Sequence, residues 1–404
     1  MSWHKNLFAV TAASFIGFTG FTLVMPFLPL YFQQLGVSDV GEVALWSGLS
    51  LGVTPAVTAL MAPLWGRLAD RFGRKIMVER SLVSFVAVMA AMAFVTEPWQ
   101  VFALRAFQGL FAGYGALTLT MAADSAPPER MAYAIGIVQT AQRLGPALGP
   151  VIGGTVAQLV GLRRAFFVTS GFYVVAVVLV YVLYREPRPS KTATAGPDGR
   201  VTFRNVLAFE NFVLLMAVVF GLQFVDRSFG PILPLYIAGL GTPLESVPLV
   251  SGILFSVTAG AAAVGNQICG RLLHRHSPRV VIAGSAAVGS VGASIYVVAG
   301  TTVPVALGTG LFGAAIGVAT TAAYTAAGSV IPATARGAGF GLLTTASLTG
   351  LALSPVVSGL LGAISIRAVF FLDAVALLVL ATMVRRLMVS SPAAATSAPV
   401  AEEL

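Results

Sequence analysis

The run Gly66-Arg67-Leu68-Ala69-Asp70-Arg71-Phe72-Gly73-Arg74-Lys75 holds five charged side chains, in a 404-residue chain of which only 10% is Asp, Glu, Lys or Arg. Apolar sequence flanks it on both sides. No charged residue occurs from Ala44 to Trp65, and from Ile76 to Thr96 there are only Glu79 and Arg80, near the start. A run this short, with two glycines, is no folded unit. It is expected to be a tight cytoplasmic turn between two membrane helices. Asp70 is there to meet a helix N-terminus, and Arg67, Arg71, Arg74 and Lys75 to hold carboxylates or lipid headgroups.

Composition points the same way. The chain is 57% hydrophobic with mean hydropathy +0.89. A soluble fold of this size does not bury that much apolar surface, so lipid must cover the excess. The formal net charge of +9 would suit nucleic acid if it formed a face, but the basic residues sit in short links between apolar runs. No nucleic-acid partner is expected. Cys269 is the only cysteine, which excludes an intramolecular disulfide framework. The histidines, His4, His274 and His276, fall at links and supply no convergent set of nucleophile, base or metal ligands, which argues against an enzyme. No phosphate-binding Gly-x-x-x-x-Gly-Lys-Ser/Thr run occurs, so neither ATP nor another cofactor is expected.

Apolar runs of about 20 residues or more fall near 7–32, 44–65, 76–96, 99–122, 133–160 and 165–184. They resume near 210–237, 248–270, 279–300, 303–326, 338–362 and 367–389. The first is too long for a signal-peptide core and is read as a retained helix. Twelve helices result, in two sets of six. Of the 24 Lys and Arg, eighteen fall on one side of this scheme. Three (Arg163, Arg164 and Arg367) fall on the other, and three (Arg105, Arg143 and Arg227) lie within helices. Both termini are therefore expected in the cytoplasm. Residues 1–184 and 210–389 form the two bundles. A Pro- and Gly-rich cytoplasmic linker, 185–209, joins them, and an Ala/Ser/Pro-rich tail, 390–404, is read as disordered.

The halves echo each other. Pro26-Phe27-Leu28-Pro29-Leu30-Tyr31 recurs as Pro231-Ile232-Leu233-Pro234-Leu235-Tyr236, Ser47-Gly48 as Ser251-Gly252, Gly66-Arg67-Leu68 as Gly270-Arg271-Leu272, and Pro150 with Gly154 as Pro355 with Gly359. Matches in one register imply a structural repeat, with a substrate cavity at the repeat interface that opens alternately to the two sides. The second copy of the charged run has His274 where the first has Asp70, so the gate is expected to be asymmetric.

Gly66 through Lys75, following the second helix, resembles the signature loop of the major facilitator superfamily. Arg105-Ala106-Phe107-Gln108-Gly109 in the fourth helix is similar to that family's buried Arg-x-x-Gln-Gly element. Leu23 to Tyr31, Trp46-Ser47-Gly48 and Gly161 to Phe167 resemble its twelve-helix drug–proton antiporters. The likeness covers residues 5–389. It implies an all-α integral membrane protein of two pseudo-symmetric six-helix bundles, monomeric, in the cytoplasmic membrane. The implied activity is export of lipophilic or amphiphilic small molecules driven by proton entry. The alternative is a dedicated exporter of one metabolite, siderophore, sugar or lipid, or a lysolipid flippase.

Candidate residues follow. The gate comprises Gly66, Asp70, Arg71, Gly73, Arg74 and Lys75, with Asp124 facing it through Arg71 or Arg74. Gly145-Pro146, Gly149-Pro150 and Gly153-Gly154 in the fifth helix put glycines on one face for close helix approach and prolines that should bend the helix. In this position the run resembles the motif that marks the family's exporters. Helix one carries no acid, unlike many drug exporters, which leaves Asp226 as first candidate to load and release a proton. Permanent pairing with Arg227, Arg105 or Arg143 is the competing role. Asp373 is a further candidate. Three interior arginines against two acids favour neutral or anionic amphiphiles over cations. Phe18, Phe21, Met25, Phe27, Gln108, Phe220, Gln223, Phe224 and Phe229 are candidates to line the cavity.

Overall fold

A computed structural model describes residues 3–127, 130–186, 207–331 and 336–389. The linker, except at its two ends, and the whole tail lie outside these residues. The described residues contain helices and no strand. In chain order the helices make twelve rods: α1 (Trp3–Gln34), α2 (Val40–Phe72), α3 (Arg74–Met92), α4 (Pro98–Phe111 and Tyr114–Ser125), α5 (Met131–Val160), α6 (Leu162–Leu183), α7 (Phe212–Ser228 and Leu233–Gly239), α8 (Val247–Arg275), α9 (Pro278–Val298), α10 (Thr302–Val330), α11 (Arg336–Ile364) and α12 (Ile366–Leu387). Eight are long and apolar enough to cross a membrane, and nine if the two parts of α7 form one span. The other three are α3, which opens on Arg74, Lys75, Glu79 and Arg80, the divided α4, and α5.

One expectation needs correction. Gly66 to Lys75 is not a ten-residue turn: α2 continues to Phe72, and α3 starts at Arg74. The turn is the single residue Gly73, at φ 95° and ψ 149°, an essentially glycine-only conformation that costs a residue with a side chain about 1–3 kcal/mol. Polar residues continue the helix because its backbone hydrogen bonds are satisfied internally whether lipid or water lies outside.

Proline and glycine divide three rods. In α1 a 3-10 turn, Met25–Phe27, follows from Pro26 and Pro29, which have no N–H to give. Pro231 and Pro234 do the same in α7, where the two parts meet at 44°. In α4 the break is Ala112-Gly113, with Gly113 in the left-handed region at φ 118°. By contrast α5 runs unbroken through Pro146 and Pro150.

Each half is tied by its own hydrogen bonds, and the ties repeat. Asn6 pairs its amide with the backbone of Arg185, joining the ends of α1 and α6 at 2.8 and 3.0 Å. Asn211 pairs with Val389 in the same way at 3.0 and 2.9 Å, joining α7 to α12. Tyr31 donates to Met92 O at 2.6 Å, and its repeat partner Tyr236 to Tyr296 O at 2.7 Å. Ser170 of α6 donates to Val86 O of α3, and Ser290 of α9 donates to Ala374 O of α12.

The halves meet along α2 against α11 and along α5 against α8, and glycines make both seams. A Cβ on Gly48 would strike Pro355 O, and one on Gly252 would strike Pro150 O. On Gly154 it would sit 2.6 Å from Pro248 O, and on Gly359 2.6 Å from Ala44 O. All four glycines, Pro150 and Pro355 belong to the sequence repeat. The seams lie far from Arg74 and Lys75, at what we term the distal end. Toward the charged end the picture inverts. Gly136, Gly270 and Gly341 each stand eighteen residues from a seam glycine (Gly154, Gly252 and Gly359), five helical turns along the same face. Among the described residues, no atom of another helix lies within 4 Å of where their Cβ would be. Among the described residues the bundle is therefore closed distally and open at the charged end.

Candidate functional site

At the charged end the N-terminal half ties the start of α3 to its neighbours. Arg74 pairs with Asp124 of α4. Its backbone N–H donates to Glu186 Oε1 at 2.6 Å. Lys75 Nζ donates to the carbonyls of Tyr181 and Tyr184 at 2.9 and 2.8 Å and lies 3.7 Å from Glu79. Arg71 rests over the Phe72 ring, 5.3 Å from its centroid. The side chains at Gly66 and Asp70 lie outside the described ones. Sequence reasoning passed over a neighbouring cluster. The Arg80 guanidinium stacks 3.4 Å above Trp65 and donates to Phe111 O at 3.1 Å, while Trp65 Nε1 donates to Leu110 O at 2.6 Å. Trp65 and Arg80 thus take up carbonyls that the Ala112-Gly113 break leaves without helical partners. An arginine nearly two turns into α3, where the apolar run has begun, was the available signal.

The interior charges are dispersed. In α7, Asp226 Oδ2 lies 3.3 Å from Nε of its neighbour Arg227, with the two side chains 22% and 49% exposed. Asp373 of α12 is different. It is fully buried, Oδ2 accepts from Ser228 Oγ, Oδ1 has no partner, and no cation pairs with it among the described residues. Ser228 stands at the last turn before the α7 break, and Phe229 next to it packs among Tyr296, Phe312 and Phe370. An uncompensated buried carboxylate is costly to keep ionised in so apolar a place.

Two lone cations complete the set. Arg105 is 1% exposed. Nε donates to Ser50 O at 3.2 Å, an η-nitrogen donates to Gln108 Oε1, and the Phe21 ring lies 5.5 Å away. Arg143 of α5 is exposed and reaches across to the other half. With the Asn266 amide turned to suit its neighbours, Oδ1 accepts from Arg143 Nη1 at 3.1 Å and the nitrogen donates to Gly317 O at 2.8 Å. Neither arginine meets a carboxylate among the described residues.

The glycines of α5 divide between two neighbours. Gly145, Gly149 and Gly153 face Phe18, Thr19, Thr22 and Leu23 of α1, while Gly154 faces Pro248 and Leu249 of α8. The aromatic candidates fall into three places. Phe18 and Phe21 border Tyr114 and Arg105, with Gln108 beside them. Phe220, Gln223 and Phe224 lie where Gly350 of α11 touches α7. Met25, Phe27 and Phe229 are buried in the hydrophobic core. Two clefts, of about 300 and 580 Å³, lie between α3 and α4 and between α9 and α12, and none of these candidates lines them.

The model of the Major Facilitator Superfamily matches residues 10–307 and 215–403. The chain is 32% identical over 284 residues to the multidrug resistance protein MdtG of Proteus mirabilis, covering 70% of each. It is 34% identical to MdtG of Yersinia enterocolitica, over 70% of this chain and 69% of that one. To a multi-drug resistance efflux pump PmrA homolog of Lactococcus lactis it is 32% identical, over 70% of each. Among solved structures, a bacterial homolog of the human lysosomal transporter Spinster, inward-facing and occupied, superposes with a TM-score of 0.78 at 17% identity, covering 94% of this chain and 95% of that one. A mutant of the nucleoside transporter NupG gives 0.71 at 14%, covering 94% and 98%. Coverage of more than half the chain by the family model, and identity above 30% to relatives covering 70% of the chain, agree with the two-seam architecture: the chain belongs to the major facilitator superfamily and is a multi-pass membrane transporter.

Proposed function

We propose that this transporter exports lipophilic or amphiphilic small molecules from the cytoplasm across the cell membrane, by alternating access coupled to proton entry, with both termini cytoplasmic and the monomer sufficient. One observation carries the reading. Three helices at the interface between halves bear glycines five turns apart on one face, packed at the distal end and, among the described residues, open at the charged end. Small residues at both ends let either end close by backbone contact, as rocking about a central site requires. The names of the relatives, multidrug resistance protein and efflux pump, support the substrate class and the direction.

For the proton, Asp373 suits the carrier better than Asp226. Asp226 has Arg227 beside it, whereas Asp373 has one hydroxyl partner at the hinge-like break of α7. A carboxylate that gains or loses a proton there changes its bond to Ser228 and hence the pull on that break. The test uses proteoliposomes with an internal pH dye and a panel of anionic, neutral and cationic amphiphiles. Wild type is compared with Asp373→Asn and Asp226→Asn. The reading expects substrate-triggered proton movement in wild type, its loss in Asp373→Asn with substrate binding retained, and its survival in Asp226→Asn. Proton movement absent from wild type with every substrate sinks the antiporter. Loss in Asp226→Asn alone returns the role to Asp226.

A further inference from the structure

The inside of the N-terminal half contains a cation among hydrogen-bond donors, with no acid among the described residues to answer it. Arg105 sits 1% exposed on α4. Around it are groups left without partners although buried: Gln108 Nε2, whose oxygen the guanidinium occupies, Ser50 Oγ, Tyr173 Oη and Tyr114 Oη. Helix α1 brings them together: a Cβ on Gly17 would sit 2.8 Å from Tyr114 Oη and one on Gly20 3.6 Å from the Tyr173 ring, and Phe21, next to Gly20, lies 5.5 Å from the Arg105 guanidinium. The two phenol rings flank Phe85, at 5.3 and 5.8 Å between centroids. Helix α1 closes the site with Phe18, 5.3 Å from Tyr114, and with Phe21, the ring over the guanidinium. That helix contributes no carboxylate, for Trp3–Val24 has none.

A guanidinium has five N–H donors and no acceptor, and an amide nitrogen only donates. Phenols and serine hydroxyls both donate and accept, and these, with no partner, have their protons free to point at a shared acceptor. A buried charge without a counter-charge is among the most expensive arrangements in a membrane protein. The arrangement is complementary to one kind of group: a small anion that accepts from Arg105 and from the phenols at once. We propose that Arg105, Gln108, Tyr114 and Tyr173 form an internal anion-binding site in the N-terminal half. Its ligand is either the carboxylate of an amphiphilic cargo or a small inorganic anion such as chloride. Phe18, Phe21 and Phe85 provide an aromatic wall for the apolar part of a carboxylate cargo. Phe21 is only partly buried while Arg105 behind it is sealed, so rotation of that ring is the entry step. The cargo assignment rests on the export reading. The binding does not, since it is measured without a gradient.

Binding is tested on purified full-length protein in a neutral detergent, by intrinsic tryptophan fluorescence, with 2-naphthoate as probe and 2-naphthamide as its uncharged counterpart. Chloride is compared with gluconate in a separate thermal-melting arm. If a carboxylate is the ligand, naphthoate binds at least about tenfold more tightly than the amide, as a charge-assisted contact requires. In that case Tyr173→Phe narrows the gap and Arg105→Gln closes it. If chloride is the ligand, chloride raises the melting temperature over gluconate, and Arg105→Gln abolishes the rise. Gln108→Glu guards against a simple folding failure. It gives Arg105 a built-in carboxylate and is expected to melt higher than wild type while losing preference for both anions. The proposal fails if wild type binds acid and amide equally and ignores chloride, or if the preference survives both Arg105→Gln and Gln108→Glu. Failure of proton coupling with intact anion binding would instead count against the export mechanism alone.

Discussion

A methyl group at Gly154 would sit 2.6 Å from Pro248 O, 3.1 Å from Pro248 C and 3.0 Å from Leu249 Cα. All three are backbone atoms of α8, and none can rotate away. Gly154→Ala must therefore push the two helices apart, at the cost of overpacking a tight interface, about 1–3 kcal/mol. That cost applies only while the distal end is closed. The gain in helix propensity from replacing glycine applies to both access states and cancels in their ratio. The variant should then favour distal opening by about 5- to 150-fold, at 1.4 kcal/mol per factor of ten. Spin labels at Gln158→Cys and Leu244→Cys, both exposed positions near that end, in a Cys269→Ala background, would report the two populations as a distance distribution. Two controls give the experiment its sign. Gly153→Ala strikes Leu23 of α1 within the same half, so it should lower stability without moving the distribution. Gly136→Ala, five turns along the Gly154 face and open in this state, can obstruct only the closing of the charged end, so it should leave the distal end closed or favour its closure further. An unchanged distribution in Gly154→Ala, or the same shift in Gly153→Ala, would refute the seam argument.

Other expectations follow from the same contacts. Arg74→Gln removes a pair whose side chains are 27% and 44% exposed; such pairs contribute about 0–1 kcal/mol, so the melting temperature should move by no more than a few degrees. Gly73→Ala forces a side chain into φ 95° and against the Glu186 carboxylate, 2.6 Å away; a loss of about 1–3 kcal/mol should appear in urea or thermal melts and exceed that of Arg74→Gln. Asn6→Ala and Asn211→Ala each remove two hydrogen bonds of like geometry; each should cost about 1–3 kcal/mol, and melts that differ widely between them would break the equivalence of the two ties. Ser228→Ala deletes the hydroxyl partner of Asp373 and should alter the pH dependence of transport while substrate binding stays within about threefold.

Much of the architecture was legible because lipid imposes simple rules. The expected apolar runs lie in helices whose ends differ by a few residues, save α2, which continues to Phe72, and α4, which is divided, and the Pro26/Pro231 repeat marks two of the three breaks. The repeat residues proved to be the seam itself, since close backbone approach admits only glycine there. The misread turn at Gly66 shows the limit of that logic. Charge marks where a helix leaves the hydrocarbon, and it says nothing about where the helix ends. Interior polar residues were harder for a related reason. Around α12 the run Phe370-Phe371-Leu372-Asp373-Ala374-Val375 is apolar on every face, so periodicity does not tell core from lipid. Asp373 accordingly ranked below Asp226, although it is the one fully buried. Partners from distant helices, such as Ser228 for Asp373, Asn266 for Arg143 and Trp65 for Arg80, have no local signature at all.

The serine ties have a consequence for how the two halves diverged. Val86 and Ser170 correspond in the repeat to Ser290 and Ala374, yet the bond runs from Ser170 to Val86 in one half and from Ser290 to Ala374 in the other. The bridge occupies the same place while its hydroxyl has changed helices. Both positions count as mismatches when the halves are aligned by residue identity, so alignment by identity hides a link that both halves make. Ancestral reconstruction of the single-half precursor should therefore treat the two sites as one joint character. Scored separately, they permit an intermediate with no serine and no bridge.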